Sequence, residues 1–408
     1  MLWIVGKTFS EFRKYLEDKG VDYGIFWDAS LPLPEDVTAP VVQMDFQDIA
    51  SLNQQLDSAN ASDVTAIIVA GYENYVLPAA YIARYFGVPG PSIEAAHAAT
   101  DKSIMRSRFI AFDPALSPDY AEVQSWEEIE EFMRTHSFPV MLKPASLMKS
   151  LLITKSTTTH ELELNYRQTI AEVSRLYDKY NIGQPPKIII EEFLSGSMHT
   201  VAAFADKEGK PVLIPGIVDC VTGQEIGHND NFLFSRTLPT RLSPDDQQAV
   251  LDVAAKGIEA LGLTSCPAHV EIILTAKGPK IIEIGARIGG YRPRMYEYAF
   301  GIDLQQIMLD IAENKSPNIE TSADRSIAVY EIFPDKEGAF RELTHLQELE
   351  TLPSLRHLSI KADESSAVGR SSLGYKASAV IILGHEDPAQ FAKDTEFVRE
   401  NVKISLSR

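Results

Sequence analysis

The stretch HVEIILTAKGPKIIEIGARIGGYRPRM, running from His269 to Met295, decides how this chain is read. Its alternation marks two short strands joined by a turn around Lys277-Gly278, because side chains two apart share a face of a strand. Val270, Ile272, Leu274, Ile282, Ile284 and Ala286 share one parity and are expected to face a core. His269, Glu271, Glu283, Gly285 and Arg287 share the other. Pairing symmetric about Lys277 sets Glu271 opposite Glu283, with Cβ atoms about 5 Å apart, where like charges destabilise a sheet. A hard divalent cation such as Mg2+ is the natural partner of such a pair, and without it neutralising one acid should relieve strain. Arg287 adds a planar donor suited to phosphate or carboxylate oxygens. An edge hairpin with its polar face in water explains the same residues without a ligand, and on the hairpin alone the two readings stand level.

At 408 residues the chain is long for one core, and two to four domains are expected. Its composition, 45% hydrophobic and 23% charged, is that of a globular protein. A formal net charge of −19 argues against a nucleic-acid partner, although a small anion such as ATP fits wherever Lys and Arg converge. Cys220 and Cys266 are too few for a disulfide framework or a thiolate metal site, and read as small buried residues in a reducing compartment. No run of about 18 apolar residues predicts a membrane span. The opening MLWIVGKTFSEF lacks the pattern of a secretory signal, so the expected location is cytoplasmic.

Up to about residue 95, strand patterns at Leu2–Val5, Tyr23–Trp27, Val41–Met44 and Ala66–Ala70 alternate with helical ones, which predicts a parallel sheet covered by helices. No GxGxxG follows the first strand, so a dinucleotide site is not expected there. The turn cluster GVPGPS, residues 87–92, marks a boundary. Beyond it lie strand patterns at Val140–Lys143, Ile188–Phe193, His199–Phe204 and Val212–Ile217, with helices at Thr159–Tyr180, Asp245–Leu261 and Leu304–Ala312. From about residue 325 the pattern starts afresh, with strands at Ser326–Phe333 and Ala377–Leu383 and a helix at Asp387–Asn401.

Four further pieces carry chemistry. Lys143 in PVMLKPAS ends an apolar strand, where ligands of open α/β sheets collect. The following ASLMKS supplies Lys149 and Ser150 as phosphate donors, but contains no glycine to cradle a phosphate. EEFLSG, residues 191–196, resembles an edge strand or linker whose backbone bonds an adenine ring, flanked by Phe193 and Leu194. Lys102 and Arg106 share a helical face, an arrangement that asks for an anion or a carboxylate between them. Each piece also has a plain reading as a solvated strand end, loop or helix face.

In this order the pieces resemble the ATP-grasp superfamily, and more narrowly its carboxylate–amine ligases of the L-amino-acid (dipeptide) ligase type. The resemblance runs from YIARYFGVPGPSIEAAHAATDKSIMR through PVMLKP and IIIEEFLSG to HVEI and IIEIGARIGG. It implies an α/β and α+β protein: a Rossmann-like pre-ATP-grasp domain (1–95), a two-lobed ATP-grasp domain (96–320, lid about 140–190) and a small C-terminal α+β domain (321–408). It gives Lys102 and Lys143 to the ATP phosphates, Glu191 and Leu194 to the adenine, and Glu271 and Glu283 to Mg2+, with Mn2+ as an alternative. Arg287 would stabilise the transferring phosphoryl group. Three departures stand out: no glycines near Met148, Lys149 and Leu151, Met198 in place of a ribose-binding acid, and Gly285 where an Asn metal ligand is common.

The chemistry implied is phosphorylation of a carboxylate by ATP, attack by an amine on the acyl phosphate, and release of ADP and phosphate under a closing lid. The implied substrates are a small carboxylate and a small amine, amino acids among them, with Arg292 and Arg294 available to hold a substrate carboxylate. Homodimers are frequent among such ligases, though no segment marks an interface. Two alternatives stay open: a nucleotide-binding protein without ligase turnover, and an ATP-dependent carboxylase. No biotin-carrier segment with a Met-Lys-Met site is present, which weighs against a multidomain carboxylase.

Overall fold

The computed structural model describes residues 1–59, 61, 63–147, 151–180, 182, 184–228, 230 and 232–407. The N-terminal sheet is parallel, in the order Val41–Met44, Tyr23–Asp28, Leu2–Val5, Ala66–Ile68. Its central strands are buried end to end because both faces are covered. Trp3, Val5 and Phe26 pack on Ile82 and Ala83 of the helix Val76–Phe86. Leu2, Ile4, Ile25 and Trp27 instead join a core with Ala299, Leu304 and Met308, from the helices Arg292–Phe300 and Leu304–Ala312. The N-terminal layer is thereby sealed onto the helices that follow the acidic hairpin. The short turn of helix Glu73–Tyr75, just past Ala66–Ile68, is carried to that junction.

A second, antiparallel sheet runs Tyr120–Val123, Ile188–Glu192, Val140–Pro144, Thr154–Ser156. Ile188, Ile190, Val140 and Leu142 turn inward against Ile129, Phe132 and Leu162 of the covering helices. The strand Ile188–Glu192 has a neighbour on each side, so it is interior up to Glu192. Of the two readings of the EEF segment, edge strand or linker, the edge strand is therefore not there, while residues 193–195 lie outside any strand. Three consecutive isoleucines are the signature of a strand buried on both faces.

The largest sheet has eight antiparallel strands, in the order Gly278–Gly285, Cys266–Thr275, Gly196–Ala205, Pro211–Thr222, Leu233–Leu238, Ser326–Ile332, Ala379–His385, Leu355–Ile360. One face packs Val201, Ala203, Val270 and Ile284 on Val250, Ala254 and Ile258 of the helix Pro244–Leu261. The strands beyond residue 325 extend this same sheet rather than start another, while Gly338–Leu343 pairs separately with Ala367–Val368 and Ile404–Leu406. One detail of the alternation is corrected. The hairpin register shifts between Glu271 and Ile272, so Ile281 rather than Ile282 faces Ile272 and enters the core, while Ile282 and Leu274 are half-buried.

Candidate active site

The hairpin register sets Glu271 directly opposite Glu283, and His269 opposite Gly285. Lys102, itself buried at the first turn of the helix Lys102–Phe112, lies 3.2 Å from Glu283 Oε1 and donates to the Leu147 carbonyl at 3.2 Å. His269 Nε2 lies 3.5 Å from Glu271 Oε1. Burial pushes the His269 imidazole down to about 4, so the ring is neutral and can donate from Nε2. Burial by itself would raise Glu271, but the contact with His269 and the charges of Arg287 and Arg292 hold it well below the usual carboxylate range. Both acids therefore have partners, and the bare repulsion expected from the hairpin alone is compensated inside the protein.

Arg287 leaves the hairpin and donates from Nε to Glu73 Oε2 at 2.7 Å. Burial, with the charge of Glu283 nearby, raises the Glu73 carboxyl, and Arg287 opposes the rise. The other oxygen, Oε1, is buried without a hydrogen-bond partner among the described residues. Glu73 also explains Gly285: a Cβ at that position would lie 2.8 Å from Glu73 Oε2. The place where an Asn was absent is filled from the N-terminal layer. Sequence reasoning did not single out Glu73; its one local signal is an acid just past the end of a buried strand.

Lys143 and Glu191 meet at 2.5 Å, both buried, and Arg106 Nε donates to the other Glu191 oxygen at 2.8 Å. Burial would raise Glu191, but Arg106 and Lys143 bring it down to about 2. Burial pulls Lys143 below its ordinary value, with Glu191 pulling the other way. Arg106 further donates to the Ile282 carbonyl at 2.6 Å, tying helix, strand and hairpin together. Lys102 and Arg106 thus each find a separate carboxylate, and the solvated helix face considered for them is excluded by their burial. Leu194 is half-buried in the link after Glu192, and Lys155 Nζ caps the neighbouring Phe193 ring at 3.9 Å. Lys149 and Ser150 lie outside the described residues.

Arg292 and Arg294, paired in the sequence, part company. Arg292 is fully buried and donates to Thr200 Oγ1 at 2.8 Å, whereas Arg294 is exposed on the outer side of its helix. Among the described residues no group of three His, Cys, Asp or Glu side chains could enclose a metal. No helix among them is long and apolar enough to cross a membrane. Both cysteines are buried and free.

Residues 136–293 match the ATP-grasp domain family. An L-arginine-specific L-amino acid ligase of Bacillus subtilis is 26% identical over 306 residues, covering 74% of this chain and 70% of that ligase. An alanine–anticapsin ligase of Bacillus subtilis (strain 168) is 26% identical over 262 residues, 60% of this chain and 53% of the relative, so this match spans about half of its length. The crystal structure of an L-amino acid ligase from Bacillus licheniformis shares the fold, with a TM-score of 0.81 at 16% identity, covering 100% of this chain and 99% of that one. Residues 136–293 thus match an ATP-grasp domain, and over most of its length the chain is similar in sequence to amino-acid ligases and shares the fold of one.

Proposed function

We propose that this protein joins a carboxylate to an amine through an acyl phosphate, releasing ADP and phosphate, and that at least one substrate is an amino acid. The observation that carries the reading is the convergence of Glu271, Glu283, Lys102 and Arg287 on one face of the hairpin, with Glu73 bracing Arg287. Glu271 and Glu283 would hold a Mg2+ that travels with a nucleotide, since carboxylate oxygens are the donors this hard cation takes. When bound, that ion supplies charge neutralisation between the phosphate groups.

The protein's own groups do the rest. Lys102 and Lys143 take phosphate oxygens by exchanging one anionic partner for another, since each already holds a carboxylate. Arg287, fixed by Glu73, donates to the phosphoryl group as it passes from ADP to the substrate carboxylate oxygen. The amine nitrogen then attacks the acyl carbon, the C–O bond to phosphate breaks, and the amine loses a proton. Exclusion of water protects the acyl phosphate from hydrolysis. Arg292, buried on the same side, is the better placed of the two arginines to hold a substrate carboxylate.

A screen of amino acids paired with one another and with small amines, in the presence of ATP and Mg2+, tests the reading by phosphate release. Release that requires both an acid and an amine supports it. A nucleotide-binding protein without turnover would bind ATP and release nothing with any pair, and a carboxylase would need bicarbonate.

A further inference from the structure

The face of the large sheet turned away from the paired acids carries a second cluster of reactive side chains. Glu271 is in register with Thr200 and Ile272 with His199, so His199 points to the face opposite Glu271. Ile272 belongs to the core it shares with Val250 and Ile258 of the helix Pro244–Leu261. On that helix-covered face His199 stands directly opposite Asp219 of the next strand. Ser197, two residues before His199, has the same parity. None of the three belongs to the site proposed for ATP.

The three side chains form one hydrogen-bonded line. His199 Nδ1 lies 3.0 Å from Asp219 Oδ1, and its Nε2 lies 2.6 Å from Ser197 Oγ. Asp219 Oδ1 also accepts from Thr240 Oγ1 at 2.5 Å, and Oδ2 from the Arg241 amide at 2.9 Å. Burial would raise the Asp219 carboxyl, but the hydrogen bonds from His199, Thr240 and the Arg241 amide hold it below its ordinary value. An ionised carboxylate can only accept, so this contact assigns the proton of a neutral imidazole to Nδ1. The lone pair of Nε2 is then turned to Ser197, whose hydroxyl must be the donor.

A histidine that served packing alone would be satisfied by Asp219. What sets this line apart is its end: His199 is buried, yet Ser197 is one of the two exposed residues that begin the strand Gly196–Ala205. The hydroxyl is thus held at a base while open to a reagent from solution. Its backbone is held as well, because a Cβ on Gly196 would lie 2.0 Å from the Leu274 carbonyl oxygen, so the chain runs tight against its neighbour there. An orienting acid, an imidazole of fixed tautomer and a hydroxyl within about 2.6–3.2 Å of it are the parts of an activated serine, whatever their order in the chain.

We infer that Ser197, His199 and Asp219 form a second reactive centre, in which Ser197 is a nucleophile toward small activated carboxylic esters. Ser197 Oγ attacks the acyl carbon as His199 Nε2 takes its proton. The C–O bond to the leaving group breaks, the departing alcohol receives that proton, and the acyl group stays on Ser197. Water, deprotonated by the same nitrogen, then releases the acid and restores the hydroxyl. Asp219 positions the ring. This chemistry is separate from the ligase reading and stands or falls without it.

The test uses the full-length protein without ATP. A fluorophosphonate probe, whose phosphorus takes the serine oxygen as fluoride leaves, is expected to label folded wild type at Ser197. Fragment mass spectrometry separates this label from any on the exposed Ser195. Release of p-nitrophenol from p-nitrophenyl acetate is read alongside. His199→Gln is expected to lower both rates at least about 100-fold, the lower end of what a general base contributes. Asp219→Asn should lower them at least about tenfold, because an amide can donate to Nδ1 and admit the other tautomer. Ser197→Ala, a change at an exposed position, should remove the label. Urea-unfolded wild type gives a comparison that needs no variant, and should take no label at Ser197. If folded wild type is labelled there no faster than the unfolded chain, or if His199→Gln is labelled as fast as wild type, the inference is overturned and the line is only a tie between the strands and Thr240.

Discussion

Glu73 and Arg287, 214 residues apart in the chain, meet at 2.7 Å and join the N-terminal layer to the acidic hairpin. The contact fixes the direction of a guanidinium that acts on both Glu271 and Glu283. Glu73→Gln keeps a hydrogen-bond acceptor but loses the charge. Because small misplacements of a catalytic donor cost up to about 100-fold, kcat should fall about 10- to 100-fold while ATP affinity stays within about twofold. Steady-state kinetics beside nucleotide calorimetry checks the split; equal losses in both would mean that Glu73 merely holds the layers together.

Gly285 and Glu73 compete for one space, since a Cβ on Gly285 would sit 2.8 Å from Glu73 Oε2. Gly285→Ala should destabilise the fold by about 1–3 kcal/mol, the usual range for overpacking. In a Glu73→Ala background the same change should cost clearly less, with a coupling of about 1 kcal/mol. Urea melts of the four proteins measure it, and strict additivity would refute the steric account.

For the paired acids, the sequence alone suggested that neutralising one would relieve repulsion. The structure reverses the sign, because Lys102 and His269 already partner the acids and nearby guanidiniums hold Glu271 ionised. Glu271→Gln and Glu283→Gln should each lower phosphate release by at least about 100-fold and lower the apo melting temperature, since a hydrogen bond to a charged group contributes about 1.5–3 kcal/mol. A rise in melting temperature for either variant would restore the repulsion picture.

Lys143→Ala removes a buried cation from Glu191 and, on the proposed function, from the nucleotide. ATP binding should weaken about 10- to 100-fold, the range expected for a charge-assisted phosphate contact. Calorimetry gives the number directly, and an unchanged dissociation constant would assign Lys143 to the fold alone.

The acid limb of stability should carry the signature of Glu191. Its carboxyl sits at about 2 in the folded protein, below its ordinary 4.5, held there by Arg106 and Lys143 against burial. A depressed carboxyl contributes stability that is fully present above the unfolded value and lost as pH falls through the folded one. The contribution, on the order of 3 kcal/mol, should therefore disappear between about pH 4.5 and pH 2. Glu191→Gln should be less stable than wild type at pH 6, and the gap should shrink to under about 1 kcal/mol by pH 2.5. A gap that is constant over that range would show that the charge is not what stabilises the pair.

Much of the site could be read from the chain because it lies in short-range patterns. That Glu271 and Glu283 belong to the two arms of one hairpin follows from a tight turn and a period of two, and the helix Leu304–Ala312 from its spacing of apolar residues. The bulge after Glu271 was not legible, because Ile281 and Ile282 are both isoleucine, and the sequence cannot say which of the two turns into the core when the alternation breaks there. The bulge is also what sets Glu271 opposite Glu283 rather than Ile282. Short strands such as Tyr120–Val123 and Thr154–Ser156 carry too few residues to establish a period. Glu73 was missed for another reason: it acquires meaning only from a side chain distant in the sequence, and nothing beside it records the encounter.

The match to the ATP-grasp domain ends at residue 293, yet the sheet carrying the acidic hairpin continues through Ser326–Ile332 to Leu355–Ile360. A fragment trimmed to the match would be severed between Leu233–Leu238 and its neighbour Ser326–Ile332, exposing a ladder of unpaired amides and carbonyls. Such an open border recruits other chains, so the trimmed piece is expected to aggregate rather than to act as a smaller enzyme. It would also forfeit Glu331, the carboxylate that pairs with Arg236 across that border. Strands that look like an appendage are thus part of the same continuous sheet as the acidic hairpin, and removing them takes away its support.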